Sequence, residues 1–320
     1  MPAHAVTLER KDVERTGWAP LVHSLFPRRG STAHIPMASA ASRFAILGEH
    51  VRREFFMKAF SAGLTNIGRK RDNNEDTFYV DDKIGLYIVA DGMGGHRAGE
   101  VASRTVVSSV RDYMDAFSSS EAAQRLGTGE VSPACAAVCH SIELANRVVH
   151  QLSQDQGSYK GMGSTAAVAF LHGDTLVTAN VGDSRIYLVR QGKIEQLTQD
   201  HTLLAEQMRK NPSFDPHFST SPMKHILMRA VGIQESVQAD AYEMQPLSGD
   251  IVLMCSDGLT DMLSDHDLLQ AILQGGTLDE TCRRLVTLAN ERGGIDNITV
   301  VLIQFEKEEK GLLQKLFRSR

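Results

Sequence analysis

The sequence predicts an α+β layered sandwich, and three observations carry that expectation. Hairpin signals cluster in the middle of the chain, helical periodicities come in pairs, and apolar β-like runs repeatedly end beside acidic residues. A doubly wound sheet would alternate strand and helix more regularly.

The elements follow in chain order. From Met1 to about Phe56 no period persists. Pro2, Pro20, Pro27 and Pro36 punctuate this stretch, and eight basic side chains stand against five acidic ones. It reads as a poorly ordered N-terminal extension, residues 1–56, with a short helix around Ser39 to Leu47. The folded domain is expected over residues 57–306. Leu86 to Ala90 is a strand running into Asp91-Gly92. Ala98 to Phe117 sets Ala102, Val106, Val110 and Met114 on one helical face, and Ala134 to Leu152 forms a second helix behind Pro133. Thr165 to Leu171 and Thr175 to Val181 flank His172-Gly173-Asp174, and Arg185 to Arg190 and Ile194 to Leu197 flank Gln191-Gly192, both hairpin patterns. Arg209 to His225 holds Pro212, Pro216 and Pro222 without an apolar period, and so reads as an irregular surface excursion, within a flap segment near 200–228. Ile251 to Cys255 is a strand, and Ser264 caps a helix at Asp265. Leu278 to Arg292 opens on the Thr277-x-x-Glu280 spacing of a capping box, and Ile298 to Phe305 is the last strand. In the tail, residues 307–320, Leu312, Leu313, Leu316 and Phe317 share a helical face beside Lys315, Arg318 and Arg320. That basic amphipathic stretch is compatible with membrane contact, although folding back on its own domain is the plainer reading.

Composition narrows the function. The 320 residues carry 34 Lys+Arg against 39 Asp+Glu, a net charge of −5, which argues against a general nucleic-acid binder. Four Cys do not make a disulfide framework, so a reducing, cytoplasmic setting is expected. No apolar run approaches the roughly 18 residues of a membrane span, and the first 30 residues lack a secretory h-region.

Four acidic clusters lie beside β-like runs: Glu75-Asp76, Asp91-Gly92, Asp257-Gly258 and Asp296-Asn297. Any one Asp-Gly pair can be a simple turn. Carboxylates gathered at one sheet rim would repel each other unless a cation sat between them, and oxygen-only ligation selects a hard ion such as Mg²⁺ or Mn²⁺. Competing chemistries fit less well. Gly92-Met-Gly94-Gly95 has Arg97 where a dinucleotide loop needs its third glycine, and Asp91 would face the pyrophosphate with a like charge. No P-loop is present, and no Cys has the spacing to Arg of a cysteine-based phosphatase. Cys135 and Cys139, at i and i+4, read as core. His96 reads as a solvated loop residue.

Taken in order, the motifs are specific. Thr65-Asn-Ile-Gly68-x-x-Arg71-x-x-Asn74-Glu75-Asp76 and Val89-Ala-Asp91-Gly-Met-Gly-Gly95 are followed by Gly161-Met-Gly-Ser-Thr165 and Val181-Gly-Asp183-Ser-Arg185. Cys255-Ser-Asp257-Gly-Leu259 and Gly294-Ile-Asp296-Asn-Ile-Thr299 complete the series. Over roughly Phe60 to Phe305 the chain resembles the metal-dependent type 2C protein serine/threonine phosphatases (the PPM family). The bacterial branch is the nearer, since Met93 stands where many eukaryotic members have histidine.

The resemblance implies a four-layer α-β-β-α sandwich of two antiparallel sheets flanked by helices. It implies two Mn²⁺ or Mg²⁺ ions held by Asp91, the Gly92 carbonyl, Asp257, Asp296 and Glu75, with Asp76 behind them and Arg71 clamping the phosphate. Catalysis would fall to Arg71 and Asp91, through direct attack of a metal-bridging hydroxide on phosphoserine or phosphothreonine. Asp183 would hold a tight turn outside the site. Members often carry an extra aspartate for a third ion where Ser158-Tyr159-Lys160 stand here; the nearest is Asp155, which leaves a third site open. With Met93 in the histidine's place, water rather than His96 would protonate the leaving alkoxide. The expected partners are phosphorylated proteins and a cognate Ser/Thr kinase, with the enzyme a monomer in a signalling pathway. A catalytically silent scaffold is the alternative, but such a protein would be expected to have lost a ligand or Arg71. A phosphatase of small phosphoesters is a third reading.

Overall fold

Residues 86 to 90 alternate between two apolar environments, and that alternation generates the layering. Leu86, Ile88 and Ala90 pack among helical side chains, whereas Tyr87 and Val89 join a separate cluster between two sheets. All five are fully buried. A strand with no solvent face needs an apolar layer above and another below.

The computed structural model describes residues 5–6, 55–94, 97–120, 131–155, 157–211 and 222–309. Its elements begin with β1 (Ala5–Val6), β2 (Phe55–Asn66), β3 (Asp76–Asp81), β4 (Leu86–Met93), α1 (Arg97–Ser118) and α2 (Pro133–Asp155). Next come β5 (Gly163–Ser164), β6 (Ala166–His172), β7 (Thr175–Val181), β8 (Arg185–Arg190), β9 (Lys193–Gln196) and α3 (Leu203–Lys210). The series ends with β10 (Asp240–Met244), β11 (Ile251–Cys255), α4 (Asp257–Thr260), α5 (Asp265–Leu273), α6 (Leu278–Glu291) and β12 (Ile298–Glu309).

Among the described residues, one sheet runs β1-β10-β7-β6-β4-β3, with β5 paired to β4, and the other runs β2-β12-β11-β8-β9. The strand pairings are antiparallel. Helices α1 and α2 cover the first sheet, with Val106, Val110, Met114 and Ile142 against Ile88, Val168 and Phe170. Helices α5 and α6 cover the second, with Leu268, Ile272 and Leu285 against Leu253, Val300 and Leu302. Between the sheets, Tyr87, Val89 and Ala167 meet Ile186, Met254, Val301 and Ile303. The result is the expected four-layer sandwich. Each large side chain buried in it contributes about 1.5–3 kcal/mol.

Local signals set the helix starts. Ser264 with Asp267, and Thr277 with Glu280, both form complete capping boxes, which satisfy backbone donors that helix geometry leaves open. Five strands, β1, β2, β3, β5 and β10, are not among those expected from the sequence, and β3 and β10 show why, since neither alternates cleanly. Asp-Thr-Phe-Tyr-Val-Asp (β3) has acidic ends, and Asp-Ala-Tyr-Glu-Met (β10) is mostly half-buried.

The excursion also differs from expectation at its start. Thr202 caps α3 by accepting from the Ala205 N–H at 3.2 Å, and the helix carries Arg209 and Lys210 in its last turn. None of its residues is buried; Glu206 pairs with Arg209 and Lys210 instead of an apolar stripe holding it. Pro222–His225 then forms one 3₁₀ turn.

Ala5–Val6, inside the expected extension, pairs with β10, Ala5 opposite Tyr242. The rest of the extension up to residue 54, including the helix expected at Ser39 to Leu47, lies outside the described residues, as do His96 and the tail from Lys310. The second strand begins at Phe55, ahead of the expected boundary, and β12 ends at Glu309, beyond Glu306. No helix among the described residues is long and apolar enough to cross a membrane.

Truncation should distinguish the layers. Ile303, fully buried between the sheets, should cost about 2–5 kcal/mol as Ile303→Ala, because the cavity cannot collapse. Leu273, 51% exposed at the end of α5, should cost within about 0.5 kcal/mol as Leu273→Ala. Urea denaturation of both variants checks the contrast; equal losses would contradict the assigned core.

Candidate active site

Strand ends bring the acidic motifs to one rim. The register of β3 on β4 sets Asp76 opposite Asp91. Asp257 follows β11 and opens α4, Asp296 precedes β12, and Asp183 follows β7. Glu75, Asp91, Asp183, Asp257 and Asp296 all line one open cavity of about 1270 Å³, together with Arg71, Gly92 and Met93.

The backbone around these carboxylates is fastened from several sides. The Asp91 N–H donates to the Thr165 hydroxyl at 2.8 Å, and its carbonyl accepts from the Thr165 N–H (2.8 Å) and the Ser164 hydroxyl (2.9 Å). Asn297 acts as a clasp. Its Nδ2 donates to the carbonyls of Ile67 and Asn73, both at 2.9 Å, while its Oδ1 accepts from the Glu75 N–H at 2.8 Å. One amide thereby ties the first acidic motif to the last. Close approach of backbones does the rest. A Cβ on Gly92 would lie 2.0 Å from the Gly99 carbonyl, and one on Gly258 would lie 1.9 Å from the Asn297 carbonyl, so only glycine fits at either place.

Crowding shows in the protonation equilibria. Burial first, then the charges of Asp76 and Asp257, push Asp91 well above the usual carboxylate range. Burial pushes Asp76 up to about 7, against the hydroxyls of Thr299 (2.6 Å) and Ser256 (2.8 Å), which donate to its Oδ2. Burial and the neighbouring Asp257 raise Asp183 to about 8. Positive charge is sparse in comparison. Arg71 donates from Nη2 to the Asp296 Oδ2 at 2.6 Å, Lys224 pairs with Asp261, and His225 lies 3.8 Å from both Asp257 and Asp261. Contact with Asp257 raises the His225 pKa.

Two oxygens test whether a cation fits. The Asp257 Oδ1 and the Asp76 Oδ1 are buried without a hydrogen-bond partner. A buried carboxylate oxygen with no donor, among like charges, is strongly disfavoured unless a cation takes the donor's place. Every candidate ligand is oxygen, so the residues fit a hard divalent ion.

Of the residues expected at the site, Arg71, Glu75, Asp91, Gly92, Asp257 and Asp296 share the cavity wall, and Asp76 sits behind it against Ser256 and Thr299. The turn expected to place Asp183 outside the site also leaves it lining the cavity, partly buried near Asp257. A signal was present, since Val181-Gly-Asp183 ends an apolar strand much as Cys255-Ser-Asp257 does. His225, Lys224 and Asp261 had no such signal; donor atoms of His225, Asp257 and Asp261 lie within 4.8 Å of one another.

The protein phosphatase 2C family profile matches residues 65–293. The serine/threonine phosphatase stp of Listeria monocytogenes is 35% identical over 250 residues, which is 77% of this chain and 96% of that protein. Among solved structures, the Streptococcus agalactiae serine/threonine phosphatase has 38% identity and a TM-score of 0.68, over 77% of this chain and 99% of that one. The catalytic domain of the serine threonine protein phosphatase PstP, in complex with two manganese ions, has 32% identity and a TM-score of 0.66, covering 78% and 99%.

A pH dependence follows from the raised carboxylates. In the unfolded chain an Asp loses its proton near 3.9, whereas the folded chain keeps one on Asp76 to about 7 and on Asp183 to about 8. Between about pH 4 and pH 8 the folded state binds more protons, so stability should fall as pH rises. In EDTA the Tm should drop from pH 5 to pH 8. Added Mn²⁺ should raise it more at pH 8 than at pH 5, because the ion then displaces fewer protons. Thermal scans at constant ionic strength check this; a metal-free Tm that climbs to pH 8, with no response to Mn²⁺, would contradict it.

Proposed function

The chain belongs to the protein phosphatase 2C family and is a serine/threonine protein phosphatase; on that premise we propose that Asp91, the Gly92 carbonyl, Asp257, Asp296 and Glu75 hold two divalent cations, Mn²⁺ or Mg²⁺. The observation that carries the proposal is the unpartnered Asp257 Oδ1, buried beside Asp91 and Asp183 in a cavity with few basic groups. The PstP structure with two manganese ions supports the same count here. Lys224 already neutralises Asp261, so we assign no third ion to the His225–Asp257–Asp261 group.

When bound, divalent cations supply charge neutralisation for phosphoryl oxygens and lower the pKa of water to near neutrality. The chain's own residues do the remaining work. Arg71, 56% exposed yet anchored on Asp296, offers its guanidinium fork to the phosphate without first having to be ordered. Asn297, by gripping the Ile67 and Asn73 carbonyls, fixes the loop that carries Arg71 and so sets where the phosphate is bound. Asp76 steadies the rim from behind, and Asp183 adds negative charge to it. Cys135, Cys255 and Cys282 are buried and none of the four cysteines lines the cavity, which favours a route without a thiol intermediate. Met93 lines the cavity, and the open cleft admits water to protonate the leaving alkoxide.

The substrates are phosphorylated proteins, dephosphorylated at Ser or Thr in opposition to a cognate kinase, by a monomeric enzyme in the cytoplasm. A silent scaffold is disfavoured because Arg71 and every candidate ligand are retained and lie together.

Turnover of a phosphothreonine peptide should need Mn²⁺ or Mg²⁺ and vanish in EDTA. Asp257→Asn and Asp91→Asn should each lower kcat by about a hundredfold or more, in folded protein, as loss of a group stabilising developing charge does. Activity persisting after verified metal removal would sink the mechanism. Faster hydrolysis of sugar phosphates than of phosphopeptides would instead favour the small-phosphoester reading.

A further inference from the structure

We propose that the mouth of the cavity is an aliphatic recognition wall, selecting phosphoprotein segments that carry an aliphatic side chain within two residues of the phosphorylated Ser or Thr. The inference rests on the phosphatase reading and specifies the substrate class for that site.

Three large apolar side chains at the cavity are unusually open to solvent. Met228 is 50% exposed, Ile233 45% and Ile295 47%, and all three line the cavity that holds Asp91. They share that cavity with the carboxylates. Ile295 is the neighbour of Asp296. Ile233 stands over Gly163, where an added Cβ would lie 2.8 Å from its Cδ1. Gly163 in turn pairs with Met93, just beyond Asp91 and Gly92. Successive residues of a bound segment are about 3.8 Å apart, so side chains flanking a phosphorylated residue at Asp91 come within reach of this wall.

The wall is held in place independently of any substrate. Val231 exchanges backbone hydrogen bonds with Ser164, at 2.8 and 3.0 Å. Asn146 of α2, 1% exposed, accepts from the Gly232 N–H at 2.7 Å and donates to the carbonyls of Gln234 (3.0 Å) and Glu235 (3.1 Å). A buried amide making three bonds to one loop keeps Ile233 presented outward, and such pre-ordering lowers the entropic cost of binding. The one cation in the same stretch is already committed, since Arg229 donates to both carboxylate oxygens of Asp240, at 2.6 and 3.1 Å. The wall thus offers aliphatic surface rather than charge. Its continuity with the phosphate-binding cavity makes the substrate segment the occupant.

The test uses the full chain with Mn²⁺ and phosphothreonine peptides that differ only by Leu or Ala at each of the two positions on either side. The wild-type protein should show a Leu/Ala ratio in kcat/KM of about fivefold or more at one of these positions, less than an enclosed apolar pocket achieves. In the double variant Met228→Ser, Ile233→Ser the ratio should fall to about one, whereas Ile233→Leu should retain it. The ratio is internal to each preparation, so a partly unfolded fraction cancels. Turnover with a ratio near one at all four positions overturns the wall but leaves the phosphatase reading intact. So does a preference that survives the double variant, or a double variant altered only in sedimentation, as for a face that holds a second copy. No turnover of any phosphopeptide would overturn both.

Discussion

Mutual repulsion among the carboxylates at the sheet rim is the constraint to which the rest of the molecule answers. Left to themselves, Asp91, Asp183, Asp257 and Asp296 would move apart, and the fold prevents it by anchoring each at the end of a different packed element. Because the elements come from both sheets, the charge cannot relax without parting layers whose interior includes Met254, Val301 and Ile303. The polar contacts work in the same direction. Asn297 grips Glu75 and the loop before it, and the Ser256 and Thr299 hydroxyls converge on Asp76. Packing energy is thereby converted into a concentrated negative potential, which is the condition for holding small, hard cations.

Much of this architecture could be read from the chain. Leu86 to Ala90 and Ile251 to Cys255 were legible as strands because both of their faces are apolar, and the α5 and α6 starts because capping boxes are local chemistry. Asp91, Asp257 and Asp296 stood out for the same reason, each being an acid placed next to such a strand. What escaped depended on partners far away in sequence. Strand β10 has little apolar pattern of its own and is recruited by pairing along β7. His225 follows a Pro-rich stretch, and distant contacts of its neighbours, the ion pair of Lys224 with Asp261 and the Leu203 N–H bond to the Ile226 carbonyl, hold it beside Asp257. Asp183 is a subtler case: Gly182 adopts φ +102°, as the expected turn requires, and the same turn leaves Asp183 lining the cavity.

The site also divides its labour by hydration. Its carboxylates Asp91, Asp257 and Asp296 are partly buried, its apolar side chains Met228, Ile233 and Ile295 are about half exposed, and the two zones are joined by short backbone pairings such as Met93 with Gly163. Each zone is framed by its own amide, the acidic one by Asn297 just before β12 and the aliphatic one by Asn146 of α2.

The span of the Asn297 clasp has a consequence for biosynthesis. Glu75 and Asn297 are 222 residues apart, and Asp76 and Thr299 are 223 apart, so the rim is closed by β12, which inserts between β2 and β11. A ribosome adding about 5–20 residues per second exposes the first acidic motif many seconds before the last one exists. Throughout that interval the nascent chain lacks Asp296 and the amide that positions Glu75. The rim around Glu75 and Asp76 is therefore complete only once β12 has been translated.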